Sequence, residues 1–75
     1  MADDIMTLVA DDLAQQALEI WEVTRDDDIF DQVTKIIGTS SQTLEEAFKT
    51  AVRVRRAEKR AREMLAEEKA KLGKG

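Results

Sequence analysis

The feature that most constrains this chain is a run of thirty residues, from Thr43 to Leu72, that contains neither proline nor glycine. The run is rich in Ala, Glu, Lys, Arg and Leu, which favour the α-helix. A helix of this length would be ~45 Å long at 1.5 Å per residue. A compact domain of 75 residues has a diameter of only roughly 30 Å. We therefore expect the helix to extend beyond the core that the rest of the chain can form.

A first helix is predicted between residues 3 and 23, where polar residues recur every three or four positions. Asp3 or Asp4 is placed to cap it, and a negative charge suits a helix N-terminus. The spacing leaves one broad apolar face, which we expect to be buried. The residues of that face are Ile5, Met6, Leu8, Val9, Leu13, Ala17, Ile20 and Trp21.

A second helix is predicted over residues 28–37, in the segment "IFDQVTKII". The segment does not alternate between polar and apolar residues, as a half-buried strand would, although its β-branched content leaves a strand as the alternative. Asp27 or Asp28 would cap this helix, and Gly38 occupies the position favoured just after a helix end.

The long third helix is predicted over residues 43–72. Thr43 and Glu46 have the spacing of a capping box, and Ser41 with Glu45 is the alternative start. Its candidate core residues are Leu44, Ala47, Phe48, Ala51, Val54, Ala61, Leu65 and Leu72. The fold class that follows is all-α: a single domain over residues 1–75 with three helices, about 3–23, 28–37 and 43–72, and a loose tail at 73–75.

The composition leaves little material for catalysis or metal binding. The chain has no cysteine and no histidine, so it offers no thiolate, imidazole base or disulfide. The acidic run Asp26 to Asp28 lacks the glycine turn and spaced oxygens of a hard-cation loop. No apolar stretch approaches the ~20 residues of a membrane span, and the acidic start "MADDIM" is unlike a signal peptide. We expect a cytoplasmic, non-enzymatic protein with no cofactor and no membrane contact.

Charge is divided between the two halves of the chain. Residues 1–40 carry ten acids and two bases, a net −8, whereas residues 41–75 carry six acids and ten bases, a net +4. Four of the bases, Lys49, Arg53, Arg56 and Arg60, are spaced so that they line one face of the third helix. Such a stripe can bind a phosphate backbone, dock acidic residues of a protein (including this one), or only contact water.

The segment "VTKIIGTSSQTLEEAF", residues 33–48, resembles the helix-turn-helix signature of bacterial DNA-binding regulators. In that signature an apolar helix ends at a turn glycine, and a Thr-apolar pair opens the recognition helix. The resemblance implies that Gly38 takes the turn, that Ser40 and Thr43 cap, and that Leu44 and Phe48 pack inward.

The segment departs from that pattern at three positions. Thr34 stands where the family usually has alanine, and Glu45 and Glu46 lie near the start of the implied recognition helix. Acidic side chains at that place repel DNA phosphates.

A second stretch, "GTSSQTLEEAFKTAV", is similar to the turn and helix of dodecins, which are small flavin-binding shells. The resemblance implies a strand before Gly38 and two long strands after the helix. Residues 55–75 are instead uninterrupted helix formers, so the resemblance covers only part of that fold.

The function that these patterns favour is a small protein–protein interaction or adaptor module that self-associates through its helices, for example as a homodimer. The residues expected to bind the partner are Lys49, Arg53, Arg56, Arg60, Ala61, Leu65 and Leu72. The alternative is a helix-turn-helix regulator that binds nucleic acid. Its contacts would be Ser40, Gln42, Thr43, Lys49, Arg53 and Arg56.

Overall fold

The computed structural model describes residues 4–74, and over that range it consists of three helices and no strand. Helix α1 spans Ile5–Thr24, α2 spans Asp28–Gly38 and α3 spans Gln42–Lys74. The predicted all-α class is confirmed. Helix α3 begins one residue earlier and ends two residues later than predicted, so positions 73 and 74 of the expected tail are helical, while position 75 lies outside the described residues.

Side-chain caps fix the starts of α1 and α3. Asp4 accepts a hydrogen bond from the Thr7 N–H at 2.8 Å, as one of the two predicted caps. The Ser41 hydroxyl accepts from the Leu44 N–H at 3.0 Å, so Ser41 caps α3 and Thr43 lies inside the helix. The predicted capping box that starts at Thr43 is therefore wrong, and the alternative start at Ser41 is correct.

Two corners join the helices. Arg25 ends α1 in a left-handed conformation, with a φ of 59°, and its N–H donates to the Trp21 carbonyl at 2.7 Å. Gly38 is the last residue of α2 and does not have a positive φ, so the prediction that it follows the helix end is wrong. Glycine at this position instead avoids a steric clash, since a Cβ there would lie 2.5 Å from Oε1 of Glu45.

The core is small and forms where α1 crosses the front half of α3. Phe48 and Val52 of α3 pack against Ala14 and Ala17 of α1, and Phe48 is only 1% exposed. Small side chains on α1 allow the two helices to approach closely. The partly buried residues around this cluster are Leu13, Leu18, Ile29, Phe30, Val33, Ile37 and Ala51.

The larger apolar residues of α1 are mostly outside the core, which corrects the predicted burial of the whole apolar face. Ala10, Ala14 and Ala17 are the residues of α1 that are buried. Since these three alanines define the side of α1 that meets α3, the flanking large residues point away from it. The large residues exposed on α1 are Ile5, Leu8, Val9, Ile20 and Val23.

The predicted core face of α3 is also only partly correct. Phe48 is buried as predicted, but Val52, which was not predicted, is the second buried residue, and Val54 is 59% exposed. Leu65 and Leu72 are exposed as well. Helix α1 lies over the Phe48–Val52 side of α3, about a third of a turn or more from the face that carries Val54 and Leu65.

The back half of α3 extends beyond the core, as its length predicted. The molecule measures 54 × 34 × 13 Å, and its radius of gyration is 15.4 Å, against ~11 Å for a compact domain of this length. Every residue from 57 to 73 is exposed. We call residues 57–73 the overhang.

The substitution Phe48→Ala tests this small core. It removes the large side chain that is almost fully buried among residues 4–73 and should lower the free energy of unfolding by ~3–5 kcal/mol. Val23→Ala, at an 84% exposed position of α1, should change it by less than ~0.5 kcal/mol. Urea denaturation at one fixed protein concentration measures both. A Phe48→Ala loss no larger than that of Val23→Ala would contradict the packing described.

Candidate functional site

Two long-range ion pairs connect the acidic α1 to the basic α3. Arg55 forms a two-pronged contact with Asp11, with Nε–Oδ1 and Nη2–Oδ2 distances of 2.8 and 2.6 Å. Lys59 Nζ lies 2.6 Å from Oε2 of Glu22. The opposite charges of the two halves are thus partly paired within one chain.

These pairs shift the pKa of their members. The hydrogen bonds from Arg55 lower the pKa of Asp11 below its ordinary value, and the pKa of Arg55 is raised by the same contact. The hydrogen bond from Lys59 likewise lowers the pKa of Glu22. Both carboxyls are therefore held in the charged form.

A cluster of aromatic and guanidinium groups joins all three helices. The guanidinium of Arg56 lies 4.8 Å from the ring centroid of Trp21 and 4.7 Å from that of Phe30. Arg25 lies 4.6 Å from the same Trp21 ring. Asp27 accepts a hydrogen bond from the indole N–H of Trp21 at 2.7 Å and lies 3.5 Å from Arg56 Nη2. Arg56 therefore has a structural role at this junction, where cation–π contacts are each worth ~0.5–1 kcal/mol when partly exposed.

Some side chains of the predicted basic stripe therefore contact other residues of the chain, and others do not. Lys49 pairs with Glu45 at 3.1 Å, and Arg56 belongs to the cluster at Trp21. Arg53 and Arg60 are exposed, and neither has an ion-pair partner within residues 4–74. Only part of the stripe is thus open to another molecule.

An exposed apolar stripe follows a different face of α3. Val54, Ala61, Leu65 and Leu72 recur at spacings of seven, four and seven residues, which keep them on one side of the helix. Val54 and Leu65 are more than half exposed, and Leu72 is 80% exposed. Three of the residues expected to bind the partner, Ala61, Leu65 and Leu72, are part of this stripe. The sequence pattern places Val54 in the core, but its seven-residue spacing to Ala61 is the signal that it belongs to the stripe.

The apolar stripe begins in a groove between α1 and the front half of α3. The groove has a volume of about 510 Å³ and a largely apolar lining. Its lining includes Leu8, Ala10, Ala47, Thr50, Ala51 and Val54. Because most of these side chains are small, the groove can admit a large apolar side chain from outside.

The residues expected to contact nucleic acid lie around the second corner. Ser40, Gln42 and Thr43 are exposed there. Glu45 and Glu46 are beside them and both face Lys49, at 3.1 and 3.9 Å from its Nζ. This end of α3 therefore presents mixed charge.

Other kinds of site are not found in the part of the chain that the structure describes. No three carboxylates are grouped as metal ligands would be there. The carboxylates of Asp26 and Asp27 serve the corner, since Asp26 accepts from the Asp28 N–H and Asp27 from Trp21. Over the same residues, none of the helices has the length and hydrophobicity needed to cross a bilayer.

Compared with known proteins, the chain matches no protein-family model, no curated protein and no solved structure.

Because of the Asp11–Arg55 pair, the free energy of unfolding should decrease at acid pH. Since the pKa of Asp11 is lower in the folded state than in the unfolded chain, the pair stabilises the fold above the unfolded-state pKa of about 3.9, and this contribution is lost as the pH falls through the lower folded-state value. Asp11→Asn should therefore lose less stability than wild type between pH 6 and pH 2. Urea midpoints across that range measure the difference.

Asp12→Asn is the matched control, because it removes a neighbouring carboxylate that accepts a hydrogen bond from Gln16 and does not contact Arg55. Equal acid sensitivity of wild type and Asp11→Asn would show that the pair does not contribute to stability.

Proposed function

We propose that the protein is a small non-enzymatic protein–protein interaction module that self-associates through its helices. The observation that carries this proposal is the imbalance between core and surface. Among the described residues, one large side chain, Phe48, is almost fully buried, whereas ten large apolar side chains are exposed. Among these, Val54, Leu65 and Leu72 lie on one side of α3, and an exposed apolar patch on a small domain marks a site of association.

The surface area supports the same proposal. A compact monomer of 8.5 kDa exposes ~4,700 Å², and this chain exposes 5873 Å². The excess is about 1,200 Å². A standard protein–protein interface removes ~800 Å² from each partner, so the excess is sufficient for one interface.

The overhang supplies the apolar part of the proposed interface. It carries Ala61, Leu65 and Leu72 on one face, and none of these residues contacts the small core. Exposed charges beside the stripe, such as Glu58 and Lys69, provide a polar rim that directs the encounter with a partner. A partner of a different sequence would use the same stripe.

A second candidate function is the binding of duplex nucleic acid by α2, the corner at residues 39–41 and the start of α3. The observation in its favour is that Arg53 is exposed and has no ion-pair partner within residues 4–74, with Ser40, Gln42 and Thr43 exposed on the same end. Glu46 is 76% exposed nearby and would repel phosphates. Arg56 is already held by Trp21 and Phe30, so self-association is the preferred proposal.

Two alanine-to-glutamate variants of α3 test self-association. Ala61 and Ala70 are both exposed and nine residues apart, so they face opposite sides of one helix. Ala61→Glu places a charge in the apolar stripe and should weaken self-association by at least ~10-fold, whereas Ala70→Glu should leave it unchanged. Sedimentation equilibrium from low to high micromolar concentration measures the molar mass, and circular dichroism checks that both variants stay helical. A wild-type chain that is monomeric at every concentration would contradict the proposal.

The nucleic-acid alternative predicts a steep salt dependence. Fluorescence anisotropy with a labelled mixed-sequence duplex should show an affinity that falls linearly with the logarithm of salt concentration, and Arg53→Gln should reduce that slope by about one. Arg62→Gln is the control, because Arg62 pairs with Glu58 on another face of α3. No detectable binding at ~50 mM salt would remove this alternative.

A further inference from the structure

We infer that the partner of the apolar stripe is a second copy of this chain, packed antiparallel so that the overhang of each α3 lies on the front half of the other α3. In this dimer Leu65 of the second copy contacts Val54, and its Leu72 enters the groove beside Ala47. The inference rests on the proposed self-association and adds to it the orientation and register of the two helices.

The spacing of the apolar residues sets the register. Ala47 and Val54 are seven residues apart, as are Leu65 and Leu72, and seven residues rise ~10.5 Å along a helix. When two α3 helices run in opposite directions, Val54 opposite Leu65 therefore brings Ala47 opposite Leu72. The arrangement is two-fold symmetric, so both contacts occur twice.

The sizes of the side chains match in this register. The front half presents small residues, Ala47, Thr50 and Ala51, at the groove of about 510 Å³. The overhang presents leucines that are 53% and 80% exposed, Leu65 and Leu72. Leu8, 60% exposed at the edge of the groove, is placed to cover the incoming Leu72. Large side chains of one copy thus fill holes of the other, as in helix pairs that pack knobs into holes.

Charge complementarity favours the antiparallel orientation. A parallel pair would set the basic segment 49–62, with seven bases and one acid, beside its own copy. In the antiparallel register residues 49–56, with four bases and no acid, lie alongside residues 63–70 of the second copy, with three acids and one base. Segments of opposite net charge therefore lie next to each other twice in the dimer.

Two contacts in this dimer are unfavourable. Glu58 lies opposite Ala61 of the second copy and Glu68 lies opposite its Ala51, and both carboxylates are within about 40° of the apolar stripe around α3. Each already pairs with a base of its own helix, Arg62 or Lys71, which reduces the cost of placing it there. The net electrostatic effect still favours the antiparallel arrangement, because the pairing of opposite segments on either side of the axis occurs twice.

Single-cysteine variants test the register directly, since the natural chain has no cysteine. Val54→Cys and Leu65→Cys are made separately and then mixed in equal amounts under mild oxidation and, in parallel, with a short bis-maleimide. The mixture should yield a covalent dimer that contains one copy of each variant. Each variant alone should yield little, because in the proposed register its cysteine lies ~16 Å along the helix from the same cysteine of the other copy, beyond disulfide reach.

Lys49→Cys mixed with Ala70→Cys is the matched control. These positions have the same axial relation as residues 54 and 65 but lie on the opposite face of α3, and they should give no covalent dimer. Selective cross-linking of the 54/65 mixture supports the inference. Cross-linking of each single variant with itself would show a parallel dimer and overturn it.

Sedimentation equilibrium of the wild-type chain separates failure of the register from failure of the proposed function. A dimer by molar mass with no selective 54/65 cross-link overturns this inference and leaves self-association standing. A monomer at every concentration, without any cross-link, overturns both.

Discussion

The close contact between the alanines of α1 and the Phe48–Val52 side of α3 determines the rest of this structure. Ala14 and Ala17 let the two helices approach, and Phe48 fills the space between them. The cost of an alanine surface is that it buries little area, since each methyl group removes far less apolar surface from water than a leucine would. The same contact turns the larger residues of α1, such as Ile5 and Val23, toward solvent. The small core and the exposed apolar residues of α1 therefore have the same cause, the packing of an alanine face of α1 against α3.

Ion pairs, a hydrogen bond and cation–π contacts hold the three helices together outside this small core. Arg56 meets Trp21 and Phe30 while Asp27 holds the indole N–H, so one guanidinium connects all three helices. Arg55 and Asp11 fix the position of α3 along α1. Both contacts lie at the front half of α3, and Lys59, with Glu22, is the last residue of α3 that is paired to another helix among those described. The folded domain therefore ends near Lys59, although the helix continues to Lys74.

Much of this architecture follows from local signals in the sequence. Helical periodicity, the Asp4 cap and the absence of proline and glycine between Thr43 and Leu72 predict the three helices and the overhang. The periodicity of α1 could not predict its rotation, because its apolar face is broad and includes both large residues and alanines. The same uncertainty explains why the periodicity of α3 places Val54 in the core and leaves Val52 out of it, the reverse of what the structure has. Pairs such as Asp11 with Arg55, 44 positions apart, depend on that rotation and leave no local pattern.

Because of the overhang, the front and back parts of α3 differ in what stabilises their helical structure. Up to about Lys59 the helix is stabilised by tertiary contacts and should unfold with the rest of the domain. Beyond it the backbone hydrogen bonds have no packing to support them, and a helix of this length is only marginally stable in water on its own propensity. In a free chain the last turns of α3 therefore follow a helix–coil equilibrium that depends on temperature. Any partner that covers them must also supply the free energy to order them, which couples recognition to the completion of the helix.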